Sequence, residues 1–174
     1  MDTAHNTGLY FVGTGVLYFD RHTEAGLPTG LRDLGNATSF TLGVTIEKKE
    51  HTSFRESMPT VDLEMMSKRK LTGKFTLDEY DVNNLKMFLM ARTASFGVAP
   101  FTTGEVMGEL SLVGQNSQGA KYHVQLWKVR VAPGGDLTFI GEDWGAIPFD
   151  FTVEADVTGH PNDPYGKITP IGES

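Results

Sequence analysis

No cysteine occurs anywhere in the 174 residues. That removes disulfide scaffolds, thiol nucleophiles and cysteine-based zinc sites, and it suits a reducing cytoplasm. No stretch approaches the ~18 consecutive apolar residues of a membrane helix. The first residues, Met1 to Thr7, lack a basic segment followed by an apolar run, so no signal peptide is expected. Recognisable catalytic motifs are also missing. The five histidines, His5, His22, His51, His123 and His160, are isolated in sequence, and none begins a helical zinc motif. Gly13-Thr14-Gly15 is too short for a dinucleotide fingerprint, Gly73-Lys74 lacks the rest of a phosphate loop, and there is no nucleophile elbow. Glu142 and Asp143 are adjacent and would point apart on a strand, which does not suit paired acid–base work. His160-Pro161-Asn162-Asp163 reads as a turn. The residues thus imply no enzyme, no cofactor and no metal site, with His123 and Glu142 the positions on which a hydrolase would have to rest.

Basic residues are scarce in one region only. Residues 1–135 hold 14 acids and 14 Lys/Arg, whereas residues 136–174 hold eight acids against Lys167, so the net charge of −7 is C-terminal. An acidic surface repels phosphates and argues against tight nucleic-acid binding. It is compatible with a channel that nucleic acid passes without sticking.

What the chain has is aromatics, glycine and alternation. Eleven Phe, five Tyr and 20 Gly lean toward strands and turns. Gly15 to Phe19 reads as a strand, and Arg21 to Asn36 as a loop. Phe40, Leu42, Val44 and Ile46 alternate with Thr41, Gly43, Thr45 and Glu47, the period of a half-buried strand. Val61 to Met65 and Leu71, Gly73 and Phe75 alternate again. Between the two alternating segments, residues 48–60 are polar and aperiodic and read as a long inter-strand loop. Asp81 can cap a helix running about ten residues to Ala91, with Val82, Leu85, Phe88 and Leu89 on its apolar face. Met87 and Met90 widen that stripe.

Strands resume at Glu105 to Val113. In the next strand, Tyr122, Val124 and Leu126 share one phase, while Trp127, Val129 and Val131 occupy the other, which calls for a bulge near Leu126-Trp127. Pro133 to Asp136 is a turn signal, and Leu137, Phe139 and Ile147 to Val153 supply the last strands. Residues 1–14 read as an N-terminal arm and residues 159–174 as an extended C-terminal tail. The whole is one mainly β domain over 1–174, a β-sandwich or barrel with one flanking α-helix. Lys68-Arg69-Lys70 is a basic cluster on a strand end. Trp127 reads as core, and Trp144 as core or a subunit interface.

Taken in order, several segments carry a resemblance. They are Val16-Leu17-Tyr18-Phe19-Asp20, then Gly30 to Asn36 leading into the strand from Phe40, and Glu47 to Ser53. Leu71 to Leu77 running into Val82-Asn83-Asn84-Leu85, Asp143-Trp144 and His160 to Gly166 complete the series. Together they resemble the major tail tube protein of tailed bacteriophages, within the superfamily that also includes tubes of secretion and contractile injection systems. The chain departs from that pattern after Ser53, where Phe54-Arg55-Glu56-Ser57-Met58 stands in place of an early glycine.

The resemblance implies a homo-oligomer: hexameric rings stacked into a hollow tube through which DNA passes without specific binding. It also implies a place in the virion tail, assembled in the bacterial host cytoplasm without a membrane. Partners would be the tape measure, the baseplate or tail tip, the terminator and, in some tails, a sheath. On this basis Phe54, Arg55 and Met58 are expected to contact the adjacent ring. Thr41, Thr45, Glu47, Asp62 and Glu64 are expected to line the lumen, and Trp144 to lie at a subunit interface. The alternative from another class is a β-sandwich module binding carbohydrate or another ligand, for which Tyr122, Trp127 and Trp144 are the available aromatics.

Overall fold

Gly15–Arg21 (β1) places Leu17 and Phe19 inward, and it pairs antiparallel along its whole length with Val106–Gly114 (β5). The computed structural model describes residues 10–55, 57–93, 96–116 and 119–172. Of the expected N-terminal arm, residues 1–9 therefore lie outside the described residues. The remaining strands are Arg32–Asp33 (β2), Ala37–Ser53 (β3), Thr60–Leu77 (β4), Lys121–Pro133 (β6), Ile147–Val153 (β7) and Lys167–Ile171 (β8). Among the described residues one helix, α1, forms and spans Val82–Phe88.

The chain is mainly β with one short helix, as its composition and alternation imply. All eight strands join into one antiparallel sheet in the order β2-β1-β5-β6-β7-β4-β3, and β8 takes the N-terminal half of the β6 edge whose C-terminal half carries β7. One open sheet thus replaces the sandwich or barrel expected from strand order. Its strands surround one core in which Leu17 and Phe19 of β1 share a cluster with Phe75 of β4 and Phe149 and Phe151 of β7. Helix α1 closes this core with Met87 and Phe88, and Phe88 meets Phe149 edge-on at 5.7 Å.

Local sequence explains the details. Gly108 pairs with Val129 and Leu110 with Leu126, so Trp127 and Lys128 face one residue of β5. This is the expected bulge, and it lets Leu126 and Val129 both enter the core despite their opposite phases. Trp127 itself is not core. It is half-buried, stacks flat on His160 at 3.9 Å and donates its indole N–H to the Asp163 carbonyl. Asp81 caps α1 by accepting from the Asn83 N–H, as its position predicts. The helix stops at Phe88, short of Ala91, and Leu89 and Met90 form the turn that follows, with Met90 at φ 51°. Val82 is exposed, whereas the polar Asn84 and Lys86 are buried. The tail expected over 159–174 is shorter, because β8 adds residues 167–171 to the sheet edge.

Asp20 of β1 and Glu109 of β5 are directly opposed in the ladder. Partial burial first, and the Asp20 charge second, push the Glu109 carboxyl above its ordinary value near 4.5. Its ionised form is therefore disfavoured in the folded state. Stability drains as pH rises from about the ordinary value through the raised one, and stays reduced above it. Glu109→Gln is expected to raise the unfolding midpoint in urea at pH 7 and to leave it unchanged below about pH 4, where both states hold the proton.

Candidate functional site

Beyond the pairing of Leu71 with Val153, β3 and β4 leave the rest of the sheet and continue as a two-stranded hairpin. Pairing runs to Ser53 and Thr60, so the loop expected over 48–60 contracts to residues 54–59. Segments that are polar on both sides still pair when cross-strand partners match. Here Glu47 meets Lys68 at 3.4 Å and Lys70 at 3.9 Å, Lys48 pairs with Glu64, and the His51 Nδ1 lies 2.6 Å from Asp62 Oδ1. The Glu64 partnership, through its hydrogen bond and then its charge, holds the Lys48 ammonium above its ordinary range. Register shifts after Glu47 and after His51 mark bulges that skip Ser67 and Asp62 on β4.

Every residue from Thr60 to Lys70 is exposed, and many are apolar. Val44 is 71% exposed, and Ile46, Val61, Leu63, Met65 and Met66 are about half exposed. At the tip, Phe54 and Met58 are each 76% exposed. The alternation from Phe40 to Ile46 is therefore real, but its burial is partial. Phe40 and Leu42 pack on the core, whereas Val44 and Ile46 lie beyond it.

The register sorts the remaining candidates. Thr41, Thr45 and Glu47 share a face opposite Lys74, Lys70 and Lys68, so the acid among them is neutralised by lysines. Glu64 is opposed to Glu50, one residue out of phase with Glu47, and Asp62 sits in a bulge. The expected lumen-lining set thus divides between faces. Trp144 is 96% exposed, in the loop between β6 and β7, and is not core. Tyr122 lies near the start of β6, Trp144 beyond its end, and Trp127 is covered by His160, so these aromatics form no single platform.

Elsewhere the chemistry is sparse. The His123 Nε2 sits 2.8 Å from Ser111 Oγ, and the His160 Nδ1 sits 3.0 Å from Asp156 Oδ2. The Gly159 N–H first, and His160 second, hold the Asp156 carboxyl below its ordinary value. An open cleft of ≈ 980 Å³ lies between the segments around Thr23 and Thr102 and the Trp127–Asp156 wall. There Arg92 pairs with Glu24 at 3.3 Å. Among the described residues, no group of three potential metal ligands forms, and no helix is long and apolar enough to cross a membrane.

Leu137 and Phe139, expected in strands, lie in the loop between β6 and β7, where Phe139 is 71% and Ile140 95% exposed. Phe139, Ile140 and Trp144 among Asp136, Glu142 and Asp143 were the available signal.

No curated protein matches the chain. A family model described as "Protein of unknown function UCP028589" matches residues 10–109, which run from before β1 into β5 and include the whole projecting hairpin and α1. That is more than half of the 174 residues, and the chain belongs to this family.

Proposed function

We propose that the protein is a structural subunit that assembles with copies of itself into stacked rings, forming a hollow tube of the phage-tail type that DNA traverses. The observation that carries this reading is the projecting hairpin. A two-stranded ribbon is marginal alone in water, and this one carries exposed apolar side chains from Val44 and Ile46 at its base to Phe54 and Met58 at its tip. Covering it with a copy of the same chain supplies the missing layer.

The open sheet supports the same reading. Its two outer strands, β2 and β3, leave edges that invite pairing. A ring joins such edges head to tail and closes when the rotation permits, with six copies expected from the resemblance. The net charge of −7 suits a conduit past which phosphates slide. The resemblance in the order of segments from Val16 to Gly166 points to the tail tube among such assemblies.

Sedimentation velocity over a range of concentrations tests the proposal. The wild-type chain is expected to shift to large species as concentration rises. Phe54→Asp places a charge on the hairpin tip and is expected to raise the concentration needed by about tenfold or more, as for a buried aromatic anchor. Unchanged sedimentation of Phe54→Asp beside an assembling wild type would remove the tip from the contact.

A further inference from the structure

The hairpin needs a receiving surface, and the fold presents one at the opposite end of the sheet. The register fixes the geometry. β4 pairs with β7 from Leu77↔Ile147 at one end to Leu71↔Val153 at the other. The hairpin continues outward past Leu71 for the eleven residues Thr60 to Lys70, ~35 Å at strand rise. The loop joining β6 to β7, residues 134–146, emerges at the Leu77–Ile147 end. In a head-to-tail stack whose axis runs along these strands, the hairpin end of one copy faces the loop end of the next.

The loop has the chemistry of a docking surface. Phe139, Ile140 and Trp144 are 71%, 95% and 96% exposed. The loop contains Asp136, Glu142 and Asp143 and no Lys or Arg. It is held in shape rather than loosely tethered. Tyr80 donates its hydroxyl to the Thr138 carbonyl at 2.8 Å and meets Phe139 edge-on at 6.0 Å, and the Gly134 N–H bonds the Pro148 carbonyl at 2.9 Å. The hairpin offers the complement. Phe54 and Met58 are exposed at its tip. Arg55 beside them and Lys49 on β3 are exposed and form no ion pair among the described residues.

We infer that the 134–146 loop of one copy receives the β3–β4 hairpin tip of the copy behind it, with Trp144 and Phe139 against Phe54 and Met58, and Glu142 and Asp143 facing the hairpin cations. The contact rests on the assembly reading and names its receiving surface.

The absence of cysteine makes the test clean, because any thiol is an introduced one. Ser57→Cys and Gly141→Cys, at exposed positions beside the proposed anchors, are prepared as separate full-length variants, with folding checked by circular dichroism. Each alone, and the two mixed in equal amounts, are concentrated and treated with a short bismaleimide. Wild-type assembly is followed in parallel by electron microscopy. The expected result is several-fold more cross-linked dimer in the mixture than in either variant alone. If Ser57→Cys misfolds, Pro59→Cys replaces it. Equal or absent cross-linking in the mixture, beside a wild type that forms tubes, overturns this contact and leaves the assembly reading standing. A wild type that forms neither rings nor tubes, with no cross-linking, overturns both.

Discussion

Phe75→Ala is expected to cost about 3–5 kcal/mol of folding stability, a large part of the ~5–15 kcal/mol typical of a domain. Phe75 is fully buried, stacks on Phe149 at 4.8 Å and meets Phe151 at a tilt at 6.0 Å. It is also directly opposed to Phe149 in the β4–β7 ladder and to Phe40 in the β3–β4 ladder. Truncation removes the ring's transfer free energy and leaves a cavity between strands that cannot close without breaking pairing. Urea unfolding of dilute protein reads the effect as a lower midpoint at unchanged slope. A loss under ~1 kcal/mol would show that the aromatic layer does not hold the sheet together. The hairpin is anchored on this layer, so the same variant should also fail to assemble.

Asn84→Leu carries the second large expectation. Asn84 is completely buried in α1, yet each polar atom of its amide has a partner. Its Oδ1 accepts from the Arg32 guanidinium at 2.7 Å, and its Nδ2 donates to the carbonyls of Leu34 at 2.9 Å and Glu79 at 3.2 Å. One side chain thus ties the helix to the short strand β2 and to the turn that leads into it. Leucine has similar volume but leaves these groups without their partner, at about 1–3 kcal/mol for each that stays buried. A total loss of about 2–4 kcal/mol is expected in urea unfolding, since Arg32 is exposed enough to recover part of its hydration. Unchanged stability would mean that packing alone seats α1 on the sheet.

Asn84 also shows where sequence reading ends. The stripe Val82, Leu85, Phe88, Leu89 placed a helix correctly after Asp81, but it put Val82 inward and gave no sign that Asn84 and Lys86 are buried. A polar side chain goes inside only when tertiary partners await it, and Arg32 and Leu34 are some fifty residues away. The bulge at Trp127 was legible, because a change of phase within one apolar run has few other solutions. The partner of that tryptophan was not. Its stacking on His160 depends on how the segment after β7 returns across β6.

Strand β8 was missed for a related reason. Lys167 to Ile171 is wholly exposed, contains Pro170 and lies between Gly166 and Gly172, so no inward-facing side chains mark it, and only the free edge of β6 makes it a strand. Residues 48–53 and 60 were hidden in the hairpin likewise. Alternation reveals a strand through its buried face, and a ribbon wet on both sides has none. What identifies it is the pairing of Glu47, Lys48 and His51 with partners eleven to twenty-three residues away.

That ribbon is also the basis of the functional account, because its exposed apolar side chains need a second surface. Negative-stain electron microscopy of the purified, concentrated wild-type protein tests the central claim most directly. The account predicts rings or hollow tubes of uniform width, lengthening with concentration. Isolated particles of single-chain size at every concentration, with the hairpin still exposed, would contradict it.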